Sequence, residues 1–252
     1  MGSKTHERTF ESAVLTDNYK VLNDAIKLNS LLRVYNHDRD VFQYDTEWGV
    51  GGDGPQGVDK ENRNANILGT LYRAVRLIYY TREGMLRGAG SWCMLTTLKS
   101  PGFGIISQEA PRQRLLIYWL YYYFNRNVGT QMLPMEGTAP YYTPVNGDDP
   151  YNKQYSGPVT HALATLSADG RQLYLVIANG SWSQTYPCSV TTKGFIAKSA
   201  NGMLLSNDDL DGNPLLQRKE DAISDFPVTM EATKMTCKVP PHSVVFITLG
   251  KN

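Results

Sequence analysis

Val41-Phe42-Gln43-Tyr44-Asp45-Thr46-Glu47-Trp48-Gly49 is the stretch that decides the fold. It is a short β-type run that ends in an acid, a tryptophan and a glycine, and it opens into a loop carrying Gly51 and Gly52. Helical patterns lie on both sides. Upstream, Leu15, Tyr19, Leu22, Ala25, Ile26, Leu28, Leu31, Leu32 and Tyr35 recur at helical spacing, with Thr16 or Asp17 available as the N-cap and polar residues 36–40 as the breaker. Downstream, residues 62–86 repeat the pattern through Ile67, Leu68, Leu71, Val75, Leu77 and Ile78, closing near Gly84 and Gly88. Residues 89–97 are again strand-like and apolar, and a loop with Pro101, Gly102 and Gly104 separates them from a third helix over 112–125. The aromatic residues of that helix fall on several of its faces, so they read as packing rather than as a platform for one ligand. The order α, β, α, β, α predicts parallel strands covered by helices, as in a barrel or a doubly wound sheet.

Past Gly129 the pattern changes. Loops rich in Pro, Gly, Asn and Tyr give way to short alternating segments at 161–167, 172–178, 188–192, 228–237 and 243–249, punctuated by Asp169-Gly170, Asn179-Gly180 and Pro240-Pro241. These are antiparallel strands of an all-β sandwich. The expected division is therefore 1–128 for the α/β part and 129–252 for the sandwich, with 134–158 as the connection.

Composition narrows the ligand. The net charge is only +1 and charges of both signs are interspersed, which leaves no footprint for nucleic acid or an anionic membrane and points to a neutral or weakly charged partner. No segment reaches the roughly 18 apolar residues of a membrane span, and residues 1–10 lack the apolar run of a signal peptide. Cys93, Cys188 and Cys237 form no CxxC pair, which argues against a zinc or redox motif; Cys188 and Cys237 read as buried thiols, with one disulfide as the alternative. The 16 tyrosines and 4 tryptophans exceed what a core needs, and their flat faces with polar tips suit sugar rings and wet interfaces.

Three short motifs carry less. Asn207, Asp209, Asp211 and Gly212 mimic an EF-hand loop, but Arg218 stands where the bidentate Glu is required, so no calcium site is expected. Asn179-Gly180-Ser181 fits a glycosylation sequon, yet Asn-Gly is first of all a turn. His242, beside two prolines, reads as structural. Glu47 is different: in parallel βα architectures the reacting groups sit at the carboxyl ends of strands, which is where it falls. From spacing alone a second reading stands beside it, a strand-end Glu that caps the following loop.

Thr46-Glu47-Trp48-Gly49 at the end of an apolar strand resembles the seventh barrel strand of clan A retaining glycoside hydrolases, and Ser91-Trp92 looks like the tryptophan of their eighth strand. The segments from Leu204 to Pro214 and from Val239 to Val244 resemble the carboxyl-terminal sandwich of family 51 α-L-arabinofuranosidases, and family 39 enzymes are similar. The resemblance implies the carboxyl-terminal part of a (β/α)8 TIM barrel, about strands 7 and 8 with their helices, followed by an antiparallel β-sandwich. It implies Glu47 as the nucleophile, Trp48 and Trp92 as substrate-binding residues, a polysaccharide or oligosaccharide as substrate, and no metal or organic cofactor. The clan's acid/base Glu, on the fourth barrel strand, has no counterpart here; Glu61, Glu83 and Glu109 lie in or near helices and read as surface charges. The isolated chain is thus expected to hydrolyse O-glycosidic bonds little or not at all. The alternative is a carbohydrate-binding or structural sandwich module without catalysis. A barrel cut before its seventh strand leaves an unpaired edge, from which homo-oligomers are expected.

Overall fold

In a computed structural model, residues 11, 14–15, 17–49, 66–84, 86–96, 104–143, 156–208, 210 and 222–251 are described. The upstream periodicity folds as α1 (Asp17–Tyr35). The quoted stretch forms β1 (Gln43–Trp48), and α2 (Ile67–Glu83) leads to β2 (Leu86–Ser91), which pairs with β1 in parallel. The ends of α2 follow from its sequence. Asn66 caps the start, its side-chain oxygen accepting from the Leu68 and Gly69 amides at 3.0 and 3.4 Å, and Gly84 ends it at a φ of 59°. The expected strand over 89–97 is split: Trp92 to Met94 interrupt it, and β3 (Leu95–Thr96) pairs instead with β4 (Ile106–Ser107). The third helix is α3 (Leu116–Arg126).

The remaining strands are β5 (Gln131–Met132), β6 (Tyr141–Tyr142), β7 (Gly157–Pro158), β8 (Thr160–Leu166), β9 (Gln172–Asn179), β10 (Tyr186–Thr191), β11 (Ser199–Ser206), β12 (Ile223–Asp225), β13 (Thr229–Glu231), β14 (Lys234–Val239) and β15 (Ser243–Gly250). They build a six-stranded sheet in the order β12-β11-β15-β9-β8-β5 and a three-stranded sheet in the order β10-β14-β13; β6 and β7 pair separately. Every pairing in these three sheets is antiparallel. The segment 228–237, expected as one strand, folds back as a β13–β14 hairpin with Ala232 at a φ of 53°.

The six-stranded sheet is covered on both faces. Leu163, Val176, Val244 and Phe246 share an apolar cluster with Leu71, Val75 and Ile78 of α2 and with Leu116 and Leu120 of α3. Leu175, Ile177, Val245 and Ile247 face the other way, into a cluster with Met235 and Val239 of the three-stranded sheet. That explains the unbroken apolar runs Leu175-Val176-Ile177-Ala178 and Val244-Val245-Phe246-Ile247, since neither side of the strand meets water. One consequence bears on the division at 128/129: the first cluster runs straight across it. The Tyr123 and Phe246 rings lie 6.0 Å apart, and Thr248 Oγ1 donates to Asn127 Oδ1 at 3.2 Å.

Among the described residues no helix is long and apolar enough to cross a membrane, and no cluster of His, Cys, Asp and Glu could hold a metal ion. Thr16, Gly51, Gly52, Glu61, Asp209, Asp211, Gly212 and Arg218 lie outside the described residues.

Candidate active site at the ends of the parallel strands

The pleat of β1 would normally send residues 43, 45 and 47 to one face. Gln43 and Asp45 do face the helices. Gln43 Nε2 donates to the Ala25 carbonyl at 3.0 Å, and Asp45 accepts from the Tyr80 hydroxyl and sits 3.7 Å from Arg76 Nη1. The alternation then breaks. Asp45 is opposite Ala89 and Trp48 is opposite Ser91, so β1 spends one residue more than β2 over this interval. Such a bulge re-aims the side chains that follow it. Trp48 takes the helix-facing place that Glu47 would have had, and Glu47 is left exposed at the strand end. Gly90 makes room for the irregular backbone: a Cβ there would stand 2.7 Å from the Thr46 carbonyl oxygen.

Trp48 is largely covered, with a small part of its surface lining the cleft beside β1. It is 7% exposed, its ring meets Tyr80 edge-on at 5.8 Å, and the Arg76 guanidinium lies 5.8 Å from its centroid. Its indole nitrogen is buried without a hydrogen-bond partner among the described residues. Trp92 differs, at 49% exposed. Its backbone is fixed from two sides. The Trp92 amide donates to the Trp48 carbonyl at 3.1 Å, and the fully buried Arg73 donates to the Trp92 carbonyl at 3.2 Å and to Ser91 Oγ at 3.3 Å. The two strand ends are thus zipped together one residue beyond Glu47.

Beneath them runs a polar network that the sequence did not reveal. Arg76, 3% exposed, donates from Nε to Asn18 Oδ1 at 2.6 Å, from Nη1 to the Tyr80 hydroxyl at 3.1 Å and from Nη2 to the Tyr72 hydroxyl. Burial pushes the Tyr80 hydroxyl up to about 12 against the opposing charge of Arg76, so near neutral pH it remains a donor to Asp45. A buried guanidinium is tolerated only when its donors are used, and here they tie α1, α2 and β1 together. The single available signal was an arginine within the apolar repeat of α2. Its partner Asn18 is 58 positions away, beyond the reach of any local pattern.

An open cleft of about 680 Å³ lies between α1 and β1, with Glu47, Tyr44, Phe42, Leu28, Arg76 and Tyr80 among its walls. Trp92 is outside this lining. Two other carboxylates border the cleft, Asp24 and Asp45, and both are engaged: Asp24 pairs with Lys20 at 3.2 Å, Asp45 with Tyr80 and Arg76. Glu47 alone among these three has no ion-pair or hydrogen-bond partner among the described residues.

His161 and His242 serve the fold. His161 is buried against the rings of Tyr19 and Tyr79, and burial pulls it down to about 3. His242 contacts the Trp182 carbonyl through Nδ1 at 3.0 Å. Asn179 is fully buried, with Nδ2 donating to the carbonyls of Gln184, Val239 and Pro240 and Oδ1 accepting from the Ser181 amide, so its amide is a structural tie.

No family model and no curated protein matches the sequence. Solved structures do match the fold. An α-L-arabinofuranosidase from Thermotoga maritima superposes with a TM-score of 0.74 at 16% identity, over 95% of this chain and 50% of that one. A GH51 arabinofuranosidase from Xanthomonas axonopodis pv. citri gives 0.67 at 18%, over 92% and 47%. CelM2, a bifunctional glucanase-xylanase from a metagenome library, gives 0.59 at 16%, over 100% and 40%. The fold is similar to that of part of these glycoside hydrolase structures, and the likeness to the family 51 arabinofuranosidases extends over most of this chain. The chain spans about half the length of these two arabinofuranosidase structures.

Proposed function

We propose that this chain carries the nucleophile half of a retaining glycosidase site, with α-L-arabinofuranosides as the first substrate class to test. In this reading β1 and β2 are strands 7 and 8 of a (β/α)8 barrel, residues 1–128 are the carboxyl-terminal part of the catalytic domain, and residues 129–252 form the sandwich. The observation that carries it is the bulge in β1, which leaves Glu47 exposed, and unengaged among the described residues, at the carboxyl end of a parallel strand, beside the strand end that holds Trp92. Glu47 attacks the anomeric carbon and expels the aglycone. A second carboxyl group about 5 to 5.5 Å away protonates the leaving oxygen and then activates water. Trp92, with its ring half open, supplies the apolar face for a sugar, while Trp48 holds the strand end from below.

Neither Asp24 nor Asp45 is assigned as that second carboxyl: Asp45 is held by Tyr80 and Arg76, and Asp24 stands on a helix, not at a strand end. The isolated chain is accordingly expected to turn over unactivated glycosides negligibly, and activated aryl glycosides weakly at most. The test compares aryl α-L-arabinofuranosides, xylosides and glucosides with residues 1–252 alone and with a polypeptide in which the earlier barrel units precede them. Turnover appearing only with the longer polypeptide, and abolished by Glu47→Gln, is the expected result. Robust hydrolysis by residues 1–252 that survives Glu47→Gln defeats the assignment.

The engagement of both other cleft carboxylates also favours a second reading, a sandwich module that binds carbohydrate without cleaving it. Affinity for arabinan, xylan or glucan that is unchanged by Glu47→Gln, with no turnover in either polypeptide, would select it. Under the first reading, the β1 edge and the exposed apolar side chains beside it, Phe42, Leu28, Leu31 and Val34, are where a neighbouring barrel unit packs. Residues 1–252 alone are expected to associate with one another there.

A further inference from the structure

The three-stranded sheet brings together two residues that the sequence separates widely. β10 and β14 are antiparallel, and Cys188 lies directly opposite Cys237 in their register. Both thiols are free, both are partly buried, and both pack on the apolar cluster between the sheets, on the side shared with Val190, Met235 and Val239. Directly opposed residues of an antiparallel pair have Cα atoms about 4.5 to 5.5 Å apart, inside the range a disulfide spans. Their Cβ atoms are typically about 4.5 to 5.5 Å apart, slightly more than the roughly 3.8 Å of a closed bridge. The sheet can supply that small approach. Among the described residues β10 has a neighbour on one side only, and Pro187, beside Cys188, has no amide to give to a ladder, so the strand that must move is the lightly held one.

The two sulfurs also have different characters. A hydrogen bond from the Cys237 thiol favours the thiolate of Cys188, and the same bond, with burial, holds Cys237 protonated. These directions agree with Cys188 attacking first, and the register closes the same bridge whichever sulfur leads. Cys93 shares none of this; its thiol donates to the Leu95 carbonyl at 3.1 Å, away from the sandwich.

We propose that Cys188 and Cys237 form an oxidative modification site that closes to a cross-strand disulfide when the chain meets a low-molecular-weight disulfide such as oxidised glutathione. The Cys188 thiolate attacks that disulfide, forming a mixed disulfide and releasing one glutathione thiolate, which takes up a proton. Cys237 loses its proton to solvent and attacks the Cys188 sulfur, which expels the second glutathione. Two protein thiols are oxidised and one disulfide is reduced to two thiols. The bridge encloses β11, β12 and β13, so it ties the edge of the smaller sheet to the strand that closes its hairpin. It makes no use of Glu47 and is independent of the glycosidase reading.

The test incubates the full chain in glutathione buffers of graded poise, alkylates the remaining thiols and maps the peptides. In the oxidised chain, Cys93 is expected to be the alkylated residue, the 188 and 237 peptides to be joined, and the intact mass to fall by two hydrogens. The melting temperature should rise by several degrees and return with dithiothreitol. Cys93→Ser should close the same bridge, whereas Cys188→Ser and Cys237→Ser should not. Retention of three alkylatable thiols, stable glutathione adducts without closure, or a bridge to Cys93 would overturn the proposal. So would closure as fast in urea as in the native chain, because the strand register would then play no part.

Discussion

The β9 and β15 pair and the α1 and β1 corner lie in one chain and obey opposite rules. Along β9 and β15 both faces of the strand are apolar and both are covered, one by α2 and α3, the other by the three-stranded sheet. At the other corner, α1 leaves Leu28, Leu31, Val34 and Tyr35 exposed, and β1 has one partner strand among the described residues. A buried sheet is specified by its own sequence, because each apolar residue has a neighbour to meet. At the uncovered corner the apolar side chains of α1 meet no such neighbour among the described residues. The candidate nucleophile sits on the second kind of surface, where the fold has left side chains unengaged.

The sharpest way to break the contrast is to remove an apolar group where it is covered twice over. Phe246 is 1% exposed and packs against Tyr123 at the junction of helix and sheet. Phe246→Ala is expected to cost about 3 to 5 kcal/mol, read as a shift of the urea midpoint. A loss below about 1 kcal/mol would mean that the helices do not seal that face, since surface substitutions are the ones that cost so little. Because the cluster crosses 128/129, residues 129–252 alone should expose the same face, and an apolar dye bound there should be displaced when residues 1–128 are present.

Next in size is the network that bolts α1 to β1. Arg76→Ala strips Asn18, Tyr72, Tyr80 and Asp45 of a shared partner, and about 3 kcal/mol of stability should go with it. Arg76→Lys should recover little, because one ammonium cannot reach partners spread around a planar fork. A lysine variant as stable as the native chain would show that charge alone, and not geometry, holds this corner.

A smaller effect comes from pH. His161 titrates near 6.5 when unfolded and at about 3 when folded, so the unfolded chain binds the extra proton between those values and stability falls as the pH falls. At pH 5 the loss is about 2 kcal/mol relative to pH 7.5, by that linkage. His242 is also pulled down by burial and adds to it in the same direction. His161→Gln should flatten the profile between pH 5 and 7.5; an unchanged slope would assign the acid sensitivity to other groups.

How much of this could be read beforehand follows the same divide. The strand ending at Trp48, the three helices and the strands β8, β9, β10 and β15 were legible because periodicity and turn residues are local. β11 was not. Its Ser-Ala-Asn-Gly start mimics a loop, and Gly202 is there because a Cβ would stand 2.6 Å from the Phe226 carbonyl oxygen, a contact 24 positions along the chain. Glu47 and Trp92 were singled out by position. The fate of Trp48 was hidden, because a one-residue bulge decides which of two adjacent side chains is buried, and a bulge depends on the partner strand. The Asn18, Arg76, Tyr80 and Asp45 set was hidden for the same reason: each member is an ordinary polar residue until the fold puts them in contact.

The smallest expected effect on stability is at the uncovered corner, and it sharpens the comparison most. Leu31 and Val34 are 53% and 68% exposed, so the double substitution Leu31→Ser and Val34→Ser removes little buried area and should change stability by no more than about 0.5 kcal/mol. The association state should respond far more. If the exposed face of α1 and the free edge of β1 draw copies of the chain together, the substitutions remove the apolar part of that contact and leave the edge alone, whose unpaired amides and carbonyls are satisfied by water. Light scattering on residues 1–252 should then show the native chain associating at concentrations where the double variant is a monomer, with equal urea midpoints for the two. A native chain that stays monomeric at high concentration would mean that this apolar corner is closed by the chain's own residues. In that case the cleft beside Glu47 needs no neighbouring barrel unit to complete it.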